Sequence, residues 1–253
     1  MKPMLCQKMA IEKAKEELDD SWVLEEKYDG VRGYIEGGKL YDRRGKDITW
    51  RFPEFKGLSK FKETYDGEII AQDGQFNSIS GRVHLKDRFL IDLAIKKSPA
   101  KFVIWDCCSV GNPLSGRREV LEKTNFKDYD WIEVAPQHKV DKLQELWENV
   151  ISTSKEGLIA KRISSPYQEG KRSRDWLKIK AFVEIIAVFT KYEDNPRGLT
   201  LETTDGKRVV VNGAQAHKVR AEFEKNGEVS AEVQFLPQRD SEAWRFPSFR
   251  GLK

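Results

Sequence analysis

The strongest constraint on the fold is a compact β pattern over residues 22–42 that carries an unusual group of charged side chains. Residues 31–35 have strand character, Gly37 and Gly38 supply a tight turn, and residues 39–41 return to a strand. The sequence Lys-Tyr-Asp-Gly-Val-Arg occupies residues 27–32 at the start of this hairpin. It places an amine, a carboxylate and a guanidinium within six residues.

Two interpretations of this hexapeptide are open from its residues alone. Lys27 is a covalent catalyst if its ammonium loses a proton near neutral pH. Gly30 would then let the backbone approach a ligand, and Arg32 would bind a phosphate or carboxylate through two parallel hydrogen bonds. The alternative is a charged strand end without chemistry.

The composition predicts a globular protein rather than a disordered or membrane-spanning one. Of the 253 residues, 34% are charged and 39% are hydrophobic. No apolar run approaches the roughly 18 residues of a membrane span, and the N-terminal residues lack the apolar segment of a secretory signal. Three cysteines and three histidines are too few for a disulfide framework or a His-rich metal centre. We therefore expect reduced thiols and a cytoplasmic protein.

Positive charge is concentrated in one part of the chain, although the net charge is only +4. Residues 155–180 contain three acidic residues and a larger set of basic ones, namely Lys155, Lys161, Arg162, Lys171, Arg172, Arg174, Lys178 and Lys180. Such a basic stripe suits a nucleotide or a nucleic-acid backbone. An ordinary solvated surface is the alternative.

The pattern of strands and helices changes near residues 181–182. Before this point we predict strands at residues 66–71, 101–107, 158–160 and 176–180, with an amphipathic helix at 139–154. After it come strand segments at 184–191, 199–203, 208–211 and 229–236, with a helix at 215–225. About five short strands and one helix fit a small oligonucleotide-binding (OB) barrel.

Five further segments join residues 27–32 in a fixed order. They are Arg-Arg-Gly-Lys at 43–46, Asp-Gly-Glu at 66–68, Val-Ile-Trp-Asp at 103–106, Glu-Gly-Leu-Ile-Ala-Lys at 156–161 and Trp-Leu-Lys-Ile-Lys at 176–180. Together these segments resemble the motifs of covalent nucleotidyltransferases, and most closely those of minimal, virus-type ATP-dependent DNA ligases. The resemblance implies an α+β fold. A nucleotidyltransferase (adenylation) domain with antiparallel sheets and flanking helices would occupy residues 1–182, and an OB-fold β-barrel residues 183–253.

The resemblance also implies an activity: sealing of nicks in duplex DNA through a lysyl-AMP intermediate and an adenylylated 5′-phosphate. ATP and Mg²⁺ would be the cofactors, with Mn²⁺ able to replace Mg²⁺. Nicked duplex DNA would be the partner of a monomer that needs no obligate protein partner. The protein would act in the cytoplasm (the host cytoplasm for a viral source), in DNA replication, repair or recombination. An RNA ligase, a GTP-dependent mRNA-capping guanylyltransferase and a non-catalytic nucleic-acid-binding protein are the alternatives.

The resemblance assigns roles to individual residues. The catalytic residues would be Lys27, Asp29, Lys178 and Lys180. Cofactor binding would involve Glu25, Glu26, Lys27, Arg32, Glu68, Trp105, Glu156, Arg172, Lys178 and Lys180. The metal ligands would be Glu156 and Asp29. DNA contacts would come from Arg32, Arg43, Arg44 and Lys161.

The sequence departs from the family pattern in two places. Asp42 stands where a small hydroxyl residue usually precedes the second-motif arginine, so we expect it to pair with Arg43 or to weaken its phosphate contact. Family members also continue to an arginine and an acidic-then-basic motif, which orient pyrophosphate. Here Arg250 and Lys253 either take over this work, or the first step is slow.

Overall fold

The computed structural model describes residues 1–108, 111, 113–238 and 241–253, in which strands predominate. The first unit comprises Met1–Val150 and Lys155–Ile179, and the second comprises Ile151–Ser154 and Lys180–Lys253. Helices and several sheets occur together, which confirms the predicted α+β class. Every helix in the described ranges is too short or too polar to cross a bilayer.

The first unit contains ten strands in its described residues. In chain order they are β1 (Leu5–Met9), β2 (Trp22–Glu26), β3 (Val31–Glu36), β4 (Lys39–Asp42), β5 (Tyr65–Ala71), β6 (Ala100–Cys107), β7 (Ile132–Val134), β8 (His138–Lys139), β9 (Gly157–Arg162) and β10 (Arg172–Lys180). The helices are α1 (Ile11–Glu17), α2 (Phe76–Arg82), α3 (Arg88–Lys97), α4 (Leu114–Lys123) and α5 (Leu143–Ser152). Short 3-10 turns lie at Thr49–Arg51, Leu58–Lys60 and Val140–Lys142.

These strands form two five-stranded sheets, ordered β1-β10-β9-β2-β8 and β4-β3-β5-β6-β7. The predicted antiparallel arrangement is correct for most neighbours, but β1 pairs with β10 and β6 pairs with β7 in parallel. Gly37 and Gly38 have φ values of 54° and 76° in the β3–β4 turn. Glycine adopts this left-handed conformation without a Cβ penalty, which explains the tight hairpin predicted from the sequence.

The core of the second sheet is unusually aromatic. Phe55 stacks on Trp131 with ring centroids 4.6 Å apart, and Phe61 contacts Trp131 and Tyr65 edge-on and stacks on Phe126. Large aromatic rings bury much apolar area, so this cluster gives β5 and β6 a firm support. Tyr65, Ile69 and Ala71 of β5 belong to this core, whereas Glu68 lies on the other face of the strand and lines the candidate site.

The second unit contains six strands and one helix in its described residues. They are β11 (Val183–Phe189), β12 (Lys191–Asn195), β13 (Gly198–Glu202), β14 (Arg208–Asn212), α6 (Gly213–Asn226), β15 (Val229–Gln238) and β16 (Ser241–Leu252). The strands form two antiparallel three-stranded sheets, β11-β15-β16 and β12-β13-β14. Strands β12 and β16 were not predicted from the sequence, and the pairings of the described residues do not include a closed barrel.

Candidate active site

A cavity of about 590 Å³ lies in the first unit and is lined by strands from both of its sheets. Among the residues predicted from the sequence, all but Asp29, Glu156, Lys180, Arg250 and Lys253 line it. A cavity of this size is in the range that binds cofactors and small ligands. The fold therefore gathers residues that are separated by more than a hundred positions in the chain.

Lys27 follows the last residue of β2 and is held at both its backbone and its amine. Its N–H donates to the Gly157 carbonyl at 2.9 Å, and its Nζ lies 2.5 Å from Glu156 Oε2. The two side chains are 21% and 7% exposed. Gly157 has φ 146°, a conformation that favours glycine, so the Glu-Gly pair brings the carboxylate to the lysine.

Two glycines allow the strands around the cavity to come close together. A Cβ on Gly30 would lie 2.2 Å from the Ile69 carbonyl oxygen, and one on Gly67 would lie 2.4 Å from that of Val103. The close approach at Gly30 is therefore to β5. It explains why glycine stands between Asp29 and Val31 without invoking the ligand contact that the sequence suggested.

Arg32 on β3 is bound to a neighbouring carboxylate. Its Nε and Nη2 donate to Asp66 Oδ1 and Oδ2 at 3.0 and 2.5 Å, and Asp66 is fully buried. Burial opposes the charged form, but the Asp66 carboxylate outweighs it and raises the pKa of Arg32. Tyr167 also donates its hydroxyl to Asp66 Oδ2, at 2.8 Å. A bidentate pair of this kind fixes the plane of the guanidinium.

Glu68 faces the cavity from β5, and the pKa of its carboxyl is raised. Burial raises the pKa of its carboxyl to about 8, against the opposing effect of the Lys27 and Arg32 charges. The nearby Glu156 and Asp66 carboxylates act in the same direction as burial. Because burial disfavours the charged form, Glu68 is able to donate a hydrogen bond near neutral pH.

Two tryptophans and two cations form one wall. The Arg32 guanidinium lies 5.3 Å from the Trp105 ring centroid and 5.9 Å from that of Trp176. The Lys161 ammonium lies 4.4 Å from the Trp176 centroid and 5.7 Å from the Trp105 centroid. These distances are in the range of cation–π contacts, which hold the Trp105 ring in place. Trp105 is the aromatic residue that the sequence assigns to the base.

Lys161 does not suit the DNA contact suggested by the sequence. Its side chain is 1% exposed, and its Nζ lies 2.7 Å from Glu25 Oε2, itself 2% exposed. Gln137 Nε2 donates to the other Glu25 oxygen at 2.8 Å. Because Glu25 pairs with Ile159 and Val23 with Lys161 across β2 and β9, Glu25 and Lys161 lie on the same face. That face lines the cavity, and because both side chains are almost fully buried there, Lys161 neutralises a buried carboxylate.

Three other predicted residues lie around Lys27. Glu26 borders the cavity and forms an ion pair with Lys155, with Nζ and Oε2 2.6 Å apart. Asp29 is half-buried between β2 and β3. Lys178 lines the cavity from β10, next to Lys8 in the parallel register with β1.

Exposed arginines form the rim of the cavity. Arg43 and Arg44 follow β4, and Arg172 begins β10, where its guanidinium donates to the Cys6 carbonyl. The Asp42 carboxylate does not occupy Arg43 in the way we expected. It accepts the Arg44 and Lys46 N–H groups at 2.8 and 2.9 Å and shapes the turn that presents both arginines.

The remaining candidates belong to the second unit. Lys180 is the last residue of β10, and its Nζ lies 5.1 Å from the Phe246 ring centroid. Arg250 donates to Gln234 and lies 3.9 Å from Glu184, and Lys253 pairs with Glu232 at 2.9 Å. All three cations are thus anchored on elements of their own unit.

No group of three or more His, Cys, Asp or Glu side chains suited to a metal ion occurs within the described residues. Mg²⁺ does not require such a group, because it is often bound by one or two carboxylates together with substrate phosphates. The Glu156 carboxylate beside Lys27 is an oxygen donor of the kind that Mg²⁺ prefers.

The sequence around this pocket matches a known protein family. Residues 3–180 match the family described as "ATP dependent DNA ligase domain". The chain belongs to this family. Lys27, Glu68, Trp105 and Glu156 all lie inside the matched range.

Known DNA ligases are similar in sequence to this member of the ligase family over most of its length. The DNA ligase of Thermococcus onnurineus is 30% identical over 208 residues, covering 73% of this chain and 36% of the relative. The DNA ligase of Sulfolobus acidocaldarius is 34% identical over 181 residues, covering 62% and 30%. The chain thus spans about a third of the length of these relatives.

A solved structure shares the fold of the whole chain. It comes from a study of Lig E DNA ligases and of DNA binding with a minimal scaffold. The TM-score is 0.77 at 22% identity, and the alignment covers 100% of this chain and 99% of the other. The likeness shows that both units of this ligase family member follow a known arrangement of strands and helices.

Several residues in or next to the cavity were not predicted from the sequence. Asp66 stands first in the Asp-Gly-Glu segment, so its motif was noticed but its pairing with Arg32 was not. Cys6 lines the cavity, where burial raises the pKa of its thiol despite nearby cations. Gln137 and Tyr167 lie outside every motif, and no local pattern marks them.

Proposed function

We propose that this chain is an ATP-dependent DNA ligase that seals nicks in duplex DNA. The observation that carries the proposal is the Lys27 amine, which lies 2.5 Å from Glu156 beside a cavity of about 590 Å³. An amine nucleophile, carboxylates and an aromatic wall in one cavity are what covalent nucleotide transfer needs. Membership of the ligase family supports the same reaction.

The first step would be adenylylation of Lys27. The unprotonated Nζ forms a bond to the α-phosphorus of ATP, and the bond to the pyrophosphate oxygen breaks with its electron pair. The lysine must first give up the proton that its ion pair with Glu156 stabilises. Lys178, which also lines the cavity, would place a second positive charge near the phosphates of ATP. The product is lysyl-AMP.

Nucleotide binding would use the two sides of the cavity differently. Trp105 would stack on adenine, and Glu68 would bond to the ribose hydroxyls. Cations would surround the α-phosphate, namely Arg172, Lys178 and Lys180. Glu25 and Glu26 would lie near the amino edge of the base, with Lys161 holding Glu25 in place.

The next two steps would join the DNA. An oxygen of the 5′-phosphate attacks the phosphorus of lysyl-AMP, the P–N bond breaks and the amine regains a proton. The 3′-hydroxyl then loses its proton as its oxygen attacks the 5′-phosphorus, and AMP leaves. Arg32 would bind the ribose and the nick phosphate. The exposed Arg43 and Arg44 would hold the DNA backbone, which makes binding sensitive to salt.

Mg²⁺ would be held by Glu156 and Asp29 together with the phosphates of ATP. When bound, it neutralises the negative charge that develops on the phosphates during transfer. Catalysis in such a site consists mainly of positioning and charge neutralisation, so the protein supplies orientation rather than complex chemistry.

The proposal extends to the rest of the molecule. Residues 1–182 would be the adenylation domain, and residues 183–253 would form an OB-fold barrel, a fold that fits the six strands and one helix of the second unit. The protein would act on nicked duplex DNA as a cytoplasmic monomer. Its three cysteines, Cys6, Cys107 and Cys108, are not joined in disulfides, which suits a reducing compartment.

Adenylylation is the decisive test. Incubation with labelled ATP and Mg²⁺, followed by denaturing electrophoresis, should give an acid-labile label on the wild type but none on Lys27→Ala or Lys27→Arg. Lys13→Ala is the matched control, because Lys13 is exposed and pairs with Glu17 on α1. A labelled band in either Lys27 variant would refute the assignment.

A nicked DNA duplex and a nicked RNA duplex in parallel separate the ligase classes. Sealing of DNA supports the proposal, whereas a label from GTP or sealing of RNA alone would favour the capping or RNA-ligase alternatives. DNA binding without any label would favour the non-catalytic one.

A further inference from the structure

Tyr167 lies in the segment between β9 and β10, outside every recognised motif. Its hydroxyl donates to Asp66 Oδ2 at 2.8 Å and accepts the Met4 N–H at 3.0 Å. The hydroxyl therefore joins two parts of the pocket wall that are far apart in sequence. Its ring lies edge-on to Trp176, with centroids 5.8 Å apart.

Asp66, the first of these partners, orients the Arg32 guanidinium. Asp66 is fully buried, and its carboxylate accepts two hydrogen bonds from Arg32 and one from Tyr167. A buried carboxylate must have its oxygens satisfied, because the surroundings offer little compensation otherwise. Without the Tyr167 hydroxyl, Asp66 Oδ2 keeps only its bond from Arg32, so the position of the whole Asp66–Arg32 pair in the pocket is less constrained.

Met4, the second partner, belongs to the N-terminal segment that forms part of the cavity wall. Met4 stands between Pro3 and Leu5, which both line the cavity. Backbone bonds from Gly170 N–H to the Lys2 carbonyl and from Leu5 N–H to the Lys171 carbonyl, each 2.8 Å, hold the same wall. Two side chains add to these backbone bonds: the Glu169 carboxylate accepts the Lys2 N–H, and the Tyr167 hydroxyl accepts the Met4 N–H, which loses its acceptor when the hydroxyl is removed.

We propose that Tyr167 is a positioning residue for nucleotide and nick binding. It touches neither substrate itself but acts through Asp66 on Arg32 and through Met4 on the wall of the cavity. This inference rests on the proposed function, since it takes Arg32 as a contact to ribose and to the nick phosphate.

Tyr167→Phe tests the inference because it removes only the hydroxyl and keeps the ring beside Trp176. We expect the half-saturating concentrations of ATP in adduct formation and of nicked duplex in sealing to rise about tenfold, the effect of one hydrogen bond to a charged group. The fraction of protein able to form adduct should stay at the wild-type value. A loss of active fraction with unchanged half-saturation would mean a merely structural role and would overturn the proposal.

A double-mutant cycle with Arg32→Ala tests the route. If Tyr167 acts on nick binding through Arg32, Tyr167→Phe should change the half-saturating nicked-duplex concentration by less than about twofold in the Arg32→Ala background. A full tenfold effect in that background would overturn the route. Tyr65→Phe is the matched control: Tyr65 is a buried tyrosine on β5 whose ring packs against Phe61 and Phe126.

Failure of the proposed function gives a different result. If the wild type forms no adduct, the same variants are compared by equilibrium ATP binding, followed through tryptophan fluorescence. A weaker dissociation constant in Tyr167→Phe would support the positioning role without the ligase reaction. Equal constants in the wild type and in Tyr167→Phe would overturn it.

Discussion

The ion pair between Lys161 and Glu25 gives the sharpest prediction, because the sequence and the structure assign different roles to Lys161. The two side chains are 1% and 2% exposed, with the charged atoms 2.7 Å apart. In Lys161→Met, Glu25 keeps the Gln137 hydrogen bond but becomes a buried charge without a counter-ion. Removal of one partner from a buried pair costs about 3–5 kcal/mol.

For a chain of this size, about 4 kcal/mol corresponds to a fall in Tm of roughly 12 °C at about 3 °C per kcal/mol. Differential scanning calorimetry should show this fall for Lys161→Met. The double variant Lys161→Met/Glu25→Gln should recover most of it, because no unpaired charge remains. Lys155→Met is the matched control: its pair with Glu26 is 36% and 32% exposed, so we expect a change of at most about 3 °C.

DNA binding gives the opposing test. If Lys161 contacted a DNA phosphate, Lys161→Met would lower the slope of log K against log salt by about one and leave Tm unchanged. Our interpretation predicts that the slope stays the same, whereas Arg43→Ala, at the exposed rim, should lower it. An unchanged Tm together with a lower slope for Lys161→Met would refute the buried-pair argument.

Three further predictions follow from single contacts. The Glu68 carboxyl has an ordinary pKa of 4.5 and a pKa of about 8 in the folded protein. As pH rises between these values, the unfolded state loses this proton first, so the free energy of unfolding should fall. Glu68→Gln should therefore make Tm depend less on pH in this range, and the same slope of Tm against pH in wild type and variant would contradict the prediction. Gly30→Ala should lower Tm and slow adduct formation at least tenfold, because its Cβ would lie 2.2 Å from the Ile69 carbonyl oxygen. Adduct formation at the wild-type rate would contradict this prediction. If Arg250 and Lys253 orient pyrophosphate, Arg250→Ala and Lys253→Ala should each slow adduct formation from ATP about tenfold. Sealing by protein that is already adenylylated should stay at the wild-type rate. Unchanged adduct formation in both variants would show that neither residue orients pyrophosphate.

Local sequence was sufficient for much of the first unit. Alternation and the Gly37-Gly38 turn predicted the β3–β4 hairpin, and helical spacing predicted α5, because both signals are carried by neighbouring residues. The parallel pairs β1–β10 and β6–β7 were not predictable in the same way. Their partners are joined by long stretches of chain, so no turn between them reveals the pairing.

The sequence by itself determined which chemical groups this protein has: the lysine and arginine of residues 27–32, the glutamates 68 and 156, and the tryptophan of β6. Only the tertiary structure decided how they are used. Lys27 meets Glu156 across 129 positions, and Tyr167 meets Asp66 across 101. Alternation along β9 indicates that Lys161 shares a face with Ile159, but only the tertiary structure places Glu25 of β2 beside it on that face and directs the face toward the cavity. A strand has two faces with the same period, and packing against the rest of the unit chooses which one is buried.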